Sequence, residues 1–170
     1  DHRHNYWVAT QNGLFRINPA LKQTSRFHTT APEQFRISGN LVYDVLEDRD
    51  SLIWIATTEG LDLLIPAKES IIHFRKTEGR YKTLSDDFIT TLCEDQNGSI
   101  WIGTSSYLDR FSKKDSSFTY YSQENGLPGN LVYSIQRDKN NNIWVATGNG
   151  LCRYDPQTDS FYAYSVEDGM

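Results

Sequence analysis

The residues that could carry out catalysis are few in this sequence and do not form a recognised pattern. The four histidines, His2, His4, His28 and His73, lie in different predicted strands or turns and lack the spacing of metal ligands. There is no nucleophile elbow of the G-x-S-x-G type and no glycine loop that would hold a phosphate. We therefore predict no catalytic residue, no metal site and no cofactor. An active site assembled from carboxylates of distant segments stays open as an alternative.

Aromatic side chains beside cationic ones are the stronger candidates, and they suit binding rather than catalysis. Phe35 precedes Arg36, and Arg80 precedes Tyr81. Aromatic and Arg groups on a rigid scaffold make good contacts with a sugar ring or a partner protein. Together with Tyr107, these four residues are the predicted ligand-binding residues. The alternative is that their loops only fold an aromatic ring over the edge of the domain.

The segments that would position these residues belong to a repeat built around tryptophan. The phrases YWVAT, IWIAT, IWIGT and IWVAT recur every 43 to 47 residues, and an Asp stands six positions before each Trp. A period of this length is typical of propeller blades or solenoid units. The recurring residues are Trp7, Trp54, Trp101 and Trp144, with Asp1, Asp48, Asp95 and Asp138.

Each repeat contains four short segments with the residue pattern of β-strands. Apolar and β-branched residues fill the segments, and Asp, Asn and Gly stand between them, as tight turns require. No segment has a sustained helical period, so we expect essentially no helix. The pattern predicts an all-β fold, a β-propeller segment of about four blades of four antiparallel strands, whose first blade lacks its innermost strand. The predicted blades cover about 1–39, 40–86, 87–129 and 130–170.

The two end blades of such a segment would each leave one face uncovered. An open arc of blades exposes a large apolar surface, which soluble proteins avoid. We therefore expect the segment to be part of a larger propeller of roughly seven or eight blades. The alternative is that it pairs with a second copy of itself.

Residues that recur in every blade are predicted to be structural. The tryptophans are expected to fill the space between adjacent blades. Asp48, Asp95 and Asp138 are expected to accept backbone N–H hydrogen bonds in their hairpin turns. Function is therefore sought where one blade departs from the others.

The third blade departs from the pattern at Tyr107, in the turn between its second and third strands. The other blades have Gly13, Gly60 and Gly150 at this position. A large side chain there requires either a positive φ or a different turn. The connections at 28–39 and 75–86 are also four residues longer than the connection at 122–129. Because this turn and these connections lie on the same face of an up-and-down blade, we expect them to share one rim.

Charge and hydropathy exclude two classes of partner for this segment. The formal net charge is −5, and no run of Lys or Arg is longer than two residues. A nucleic-acid surface would need a concentrated basic stripe, so we predict no nucleic-acid binding. No apolar stretch approaches the roughly 20 residues that span a bilayer.

One long phrase is specific enough to indicate a family. The segment DKNNNIWVATGNGLCRYDP at 138–156, preceded by NGLPGNLVYSI at 125–135, resembles the two-component regulator propeller repeat. The resemblance implies the extracytoplasmic, periplasmic input region of a membrane-anchored hybrid histidine kinase of the Bacteroidetes type, working as a dimer. It also implies sensing of oligosaccharides. It carries over no ligand residue, because the motif is a blade motif.

Three functions are compatible with these observations. The leading hypothesis is a non-catalytic sensor segment that binds an oligosaccharide. The first alternative is a propeller for protein–protein interaction or assembly. The second is a propeller lyase or glycan-processing enzyme.

Overall fold

Four antiparallel sheets follow one another along the chain in the computed structural model, which describes residues 1–78 and 83–164. Within each sheet the strands follow in chain order, so that each pairs with the next through a short turn. The first sheet contains β1 (Tyr6–Thr10), β2 (Gly13–Asn18) and β3 (Gln23–Phe27). The second contains β4 (Val42–Glu47), β5 (Ile53–Thr57), β6 (Gly60–Ile65) and β7 (Ser70–Phe74).

The third and fourth sheets repeat the four-stranded arrangement of the second. The third contains β8 (Ile89–Glu94), β9 (Ile100–Thr104), β10 (Leu108–Ser112) and β11 (Ser117–Tyr121). The fourth contains β12 (Val132–Arg137), β13 (Ile143–Thr147), β14 (Gly150–Asp155) and β15 (Ser160–Tyr164). The prediction of an all-β segment of four-stranded units, the first with three strands, is confirmed.

The first strand of each four-stranded sheet lies at an inner edge where neighbouring sheets meet. The Asp44 Oδ2 atom in β4 accepts a hydrogen bond from the backbone N of Leu92 in β8, at 2.8 Å. The Thr90 Oγ1 atom in β8 donates to the backbone O of Val132 in β12, at 2.7 Å. Strands β4, β8 and β12 therefore stand side by side.

The faces of the sheets are buried against one another because apolar residues alternate along each strand. In β5, Ile53 and Ile55 pack toward the first sheet, while Trp54 packs toward the third. Trp101 is likewise buried between the third and fourth sheets. The spaces between the sheets are therefore the hydrophobic cores of this molecule.

The two end tryptophans are less buried than the two central ones. Trp7 is half-buried against the cluster between the first and second sheets. Trp144 is also half-buried and stacks on Tyr164, with 5.2 Å between ring centroids. No sheet among the described residues covers that side of Trp144.

The aspartate six positions before each tryptophan ties the first hairpin turn to the indole. The Asp48 Oδ1 atom accepts the backbone N–H groups of Asp50 and Leu52, at 2.9 and 3.0 Å. Its Oδ2 atom accepts the indole N–H of Trp54, at 2.9 Å. The same set of bonds forms at Asp95 and Asp138. One carboxylate per repeat therefore satisfies three donors.

Helical structure in the described residues consists of two single 3₁₀ turns, at Glu33–Phe35 and Gln123–Asn125. Both lie in the connections that lead from one sheet to the next. The second is closed by a capping box between Ser122 and Asn125, and it ends at Gly126 with φ of 94°. Within the part of the chain that the structure describes, no helix has the length and apolar character to cross a membrane.

Candidate functional site

The turns between the second and third strands lie against the connections between neighbouring sheets. The Gly13 N–H donates to the Asn40 carbonyl at 2.7 Å, and the Ser105 N–H donates to the Phe88 carbonyl at 3.1 Å. The Gly148 N–H donates to the Leu131 carbonyl in the same way. We call this face of the molecule the rim. It comprises the turns at 11–12, 58–59, 105–107 and 148–149 and the described parts of the connections at 28–41, 75–88 and 122–131.

The predicted pair Phe35 and Arg36 lies on the rim beside the first sheet. The Phe35 ring packs edge-on against Phe27, with 5.2 Å between centroids, and contributes to the core between the first and second sheets. Arg36 is exposed, and its Nε atom donates to the Ala31 carbonyl at 3.1 Å. The structure thus uses Phe35 for packing. Of the other predicted ligand-binding residues, Arg80 and Tyr81 lie outside the described residues.

The turn that contains Tyr107 has a different backbone conformation from the equivalent turns with glycine. Its backbone φ is not positive, whereas Gly60 and Gly150 have φ of 135° and 140°. Instead, the Thr104 Oγ1 atom accepts the Tyr107 N–H at 2.8 Å and donates to the Tyr107 carbonyl at 2.7 Å. Strand β10 therefore begins one position later, at Leu108, than the glycine that opens β6 or β14. Tyr107 still closes the hairpin, because its carbonyl accepts the Thr104 N–H at 3.0 Å, but it does so without the positive φ of the glycines.

A negatively charged group supports this altered turn. The hydroxyl groups of Ser105 and Ser106 both donate to the Asp86 Oδ2 atom, the first at 2.6 Å. Burial of Asp86 opposes its charge, but these two hydrogen bonds hold the pKa of Asp86 below its ordinary value. The turn therefore carries a carboxylate at neutral pH.

Tyr107 forms one wall of a groove on the rim of the third sheet. Its ring lies 5.6 Å from the ring of Tyr120, which is 59% exposed. The groove has a volume of about 350 Å³. It is lined by Tyr107, Tyr120, Ser122, Gln123, Glu124 and Asn130. Two aromatic rings thus face amide, hydroxyl and carboxylate groups, and no Lys or Arg lines the groove.

Asn130 has lost the hydrogen bond that its position makes elsewhere in the repeat. The Asn40 Oδ1 atom accepts the Thr29 N–H at 3.0 Å, and the Asp87 Oδ1 atom accepts the Lys76 N–H at 2.6 Å. In the third sheet the 3₁₀ turn at Gln123–Asn125 occupies the matching place, and the buried Asn130 Oδ1 atom has no partner. This oxygen is therefore an unsatisfied acceptor buried beneath the groove, not one of its exposed groups.

Two buried aspartates beneath the rim were not predicted from the sequence. The Asp62 carboxylate is fully buried and accepts bonds from the Ser38 hydroxyl and backbone N–H, each at 2.7 Å, and from His73 Nδ1 at 2.6 Å. The hydrogen bond that His73 donates to the Asp62 carboxylate raises the pKa of His73. Asp109 occupies the matching place and accepts the Ser85 N–H at 2.8 Å, but its Oδ1 atom is unpaired. Their only sequence signal is an Asp directly after the repeated Leu in the second and third units, where the other two units have Phe15 and Cys152.

Burial raises the pKa of Asp109 to about 7, from an ordinary value of 3.8. The folded chain therefore holds a proton that the unfolded chain releases. We expect the free energy of unfolding to fall between about pH 4 and pH 7, by at most about 1.4 kcal/mol per pH unit from this group. In the Asp109→Asn variant this contribution to the slope should vanish. Urea unfolding at several pH values checks this, and equal slopes in the two proteins would contradict it.

The opposite face of the molecule carries charges that are already paired. The Lys113 Nζ atom lies 2.6 Å from Asp50 Oδ2 and 3.2 Å from Glu94 Oε1. The Arg49 side chain donates to Glu94 at 2.9 Å and to the Asp95 carbonyl at 2.6 Å. These bonds link the second and third sheets, so this face is structural. In residues 1–78 and 83–164, no group of three or more His, Cys, Asp or Glu side chains is arranged to hold a metal ion.

Four-stranded antiparallel sheets that follow one another and meet at their first strands are the blades of a β-propeller. The chain is a segment of such a propeller. Residues 36–59, 83–106 and 126–149 match the family model of the two component regulator propeller. These three segments thus have the two-component regulator propeller repeat, and the resemblance seen in the sequence is confirmed.

Solved structures support the same assignment. The chain is 25% identical to the extracellular domain assigned to the hybrid two component system BT3049 of B. thetaiotaomicron, with a TM-score of 0.83 over 100% of this chain and 23% of that one. For the corresponding domain of BT4673 the identity is 23% and the TM-score 0.82, over 99% of this chain and 24% of that one. The chain thus spans about a quarter of these proteins.

A more distant structure shares the fold alone. Virginiamycin B lyase of Staphylococcus aureus is 15% identical, with a TM-score of 0.71 over 97% of this chain and 53% of the lyase. No curated protein sequence matches the chain.

Proposed function

We propose that this chain is a non-catalytic, ligand-sensing segment of the extracytoplasmic input region of a hybrid two-component sensor kinase, and that its ligand is an oligosaccharide. The observation that carries the proposal is the groove on the rim of the third sheet. It combines the exposed Tyr120 ring and the Tyr107 ring with the polar side chains of Ser122, Gln123 and Glu124. The similarity to extracellular domains of hybrid two component systems supports the signalling role.

The chemistry of the groove favours a neutral sugar. Aromatic rings pack against the apolar face of a pyranose, while amide and hydroxyl groups bond its hydroxyls. The groove has no cation among its lining residues, and the Asp86 carboxylate lies behind its turn. An anionic ligand would meet repulsion there without a compensating partner.

The signal in this proposal is a change in the packing of the parent protein. A ligand shifts a conformational equilibrium only if it binds one arrangement more tightly than the other. In our proposal the parent is a membrane-anchored dimer in the periplasm, and the remaining blades complete the propeller. Sugar bound on the rim would favour one arrangement of the dimer and so alter kinase output.

Replacing Tyr107 by alanine tests the site. We expect affinity for the bound oligosaccharide to fall at least tenfold, which is about 1.4 kcal/mol, because one aromatic wall is lost. Calorimetry on the intact propeller with neutral gluco-, manno-, galacto- and xylo-oligosaccharides measures this. The matched control is Tyr6→Ala, which removes an exposed ring from the first sheet.

Three results would contradict the proposal. Unchanged affinity in a folded Tyr107→Ala variant would remove the groove from the binding site. No heat with any oligosaccharide, together with a co-purifying protein, would favour a role in protein–protein interaction. Turnover of a glycan by the isolated domain would instead indicate an enzyme.

A further inference from the structure

The innermost strand of each four-stranded sheet contains the same irregularity near the rim. In each, the pairing with the following strand skips one residue, which is the definition of a β-bulge. The skips fall between Val42 and Asp44, between Ile89 and Thr91, and between Val132 and Ser134. The extra residues are therefore Tyr43, Thr90 and Tyr133. A bulge commonly re-aims a side chain at the edge of a functional site.

The bulges lie at the rim end of the innermost strands. Val42 and Val132 pair with Thr57 and Thr147, the residues that open the rim turns. The Tyr133 ring also lies beside Gly148 of the rim turn, where a Cβ atom would stand 3.8 Å from it. Since the innermost strands surround the axis of a propeller, the bulge residues surround the mouth of its central channel.

Two of the three bulge residues present tyrosine rings to solvent. Tyr43 is 48% exposed, and Tyr133 is 62% exposed in the fourth sheet, which no following sheet covers among the described residues. The Tyr43 ring rests against Phe88, with 5.2 Å between centroids, so it is supported from one side. The third bulge residue, Thr90, uses its hydroxyl to bond the Val132 carbonyl. The channel mouth therefore has aromatic surfaces separated by a small residue.

Two segments link the tyrosines of the innermost strands to the groove of Tyr107. Asn130 lines that groove, and Tyr133 follows it by three residues in the same segment. The turn that carries Tyr107 also bonds the segment beside Tyr43, because the Ser105 N–H donates to the carbonyl of Phe88. Tyr43 and Tyr133 are thus each connected to the groove through one intervening segment.

We infer that Tyr43 and Tyr133 form a second sugar-binding subsite at the channel mouth, so that the rim binds an oligosaccharide of several residues rather than a short sugar. This inference rests on the proposed function, since it extends the same site. The exposed rings offer stacking surfaces, and Thr90 leaves room between them. Neutral sugar rings match this surface because stacking on tyrosine needs no charge.

Ligand length separates the two subsites experimentally. Calorimetry would compare neutral disaccharides with hexasaccharides of the same series, using the intact propeller. We expect Tyr133→Ala and Tyr43→Ala each to lower hexasaccharide affinity about tenfold and to leave disaccharide affinity unchanged. Tyr107→Ala should lower both. Tyr133→Phe should keep the hexasaccharide affinity, because the ring is retained.

A tyrosine on an outermost strand supplies the control. Tyr162→Ala in β15 should change neither affinity, and circular dichroism would verify that each variant folds. If Tyr133→Ala and Tyr43→Ala bind hexasaccharides as the unaltered protein does, while Tyr107→Ala weakens both ligands, the channel-mouth subsite is overturned and the proposed function stands. If the unaltered protein binds neither ligand, the proposed function fails as well.

Discussion

Replacing Trp101 by alanine is expected to lower the free energy of unfolding by about 3–5 kcal/mol. The indole is fully buried between the third and fourth sheets. It lies 4.7 Å from the ring of Tyr154 and stacks on Tyr121 at 5.6 Å. The variant leaves a cavity that these rings fill only in part. Urea unfolding followed by far-ultraviolet circular dichroism measures the loss.

The fourth sheet supplies a matched control for this prediction. Trp144 has the same position in the repeat, but it is half-buried and stacks mainly on Tyr164. Trp144→Ala in the same chain should therefore cost less than half as much as Trp101→Ala. Equal losses would mean that burial between two sheets is not the source of the stability.

Replacing Asp95 by alanine should lower the free energy of unfolding by about 3 kcal/mol. Its carboxylate accepts the backbone N–H groups of Asn97 and Ser99, at 2.8 and 2.9 Å, and the indole N–H of Trp101, at 3.1 Å. Each buried donor left without an acceptor costs about 1–3 kcal/mol. Water can reach the turn more easily than the indole, so the loss is smaller than the full sum. Urea unfolding again provides the measurement.

Two further variants identify the source of this loss. Asp138 makes the same three bonds in a more exposed turn, so Asp138→Ala should destabilise the chain less than Asp95→Ala. Asp95→Asn keeps one acceptor oxygen and should fall between the unaltered protein and Asp95→Ala. If Asp95→Asn were as unstable as Asp95→Ala, the negative charge rather than the number of acceptors would be decisive.

The strands can be predicted from the sequence because the same residue type recurs at the same position of each repeat. A Trp, an Asp or a Leu that occupies the same position in successive units indicates the same structural environment in each. The residue pattern of one isolated strand does not give this information. The same comparison shows Tyr107 as a departure, and the structure places Tyr107 in a groove. Departures from a repeat are visible in one sequence because the other units serve as the reference.

The remaining groove residues are hidden from the sequence because their positions look regular. Asn130 matches Asn40 in the repeat, and only the 3₁₀ turn removes its usual partner. Tyr43 and Tyr133 read as ordinary strand residues, since a bulge depends on pairing with the next strand. These features arise between segments, where pattern along the chain carries no information.

Loop composition also fails to separate binding from packing. Phe35 has the aromatic and cationic neighbourhood expected of a contact residue, yet its ring packs on Phe27. The difference depends on the direction of the 3₁₀ turn that precedes Arg36. From sequence alone, an aromatic residue in a long connection is compatible both with ligand binding and with packing in the core.

Neighbouring sheets are joined at their inner edges by side chains. In the described residues, no backbone ladder links β4 to β8 or β8 to β12, and the bonds come from Asp44 and Thr90 instead. Backbone hydrogen bonds thus hold the strands within each sheet, whereas side-chain contacts hold neighbouring sheets to one another. A molecule that binds across two neighbouring sheets would change the angle between them without breaking the backbone pairing of either sheet.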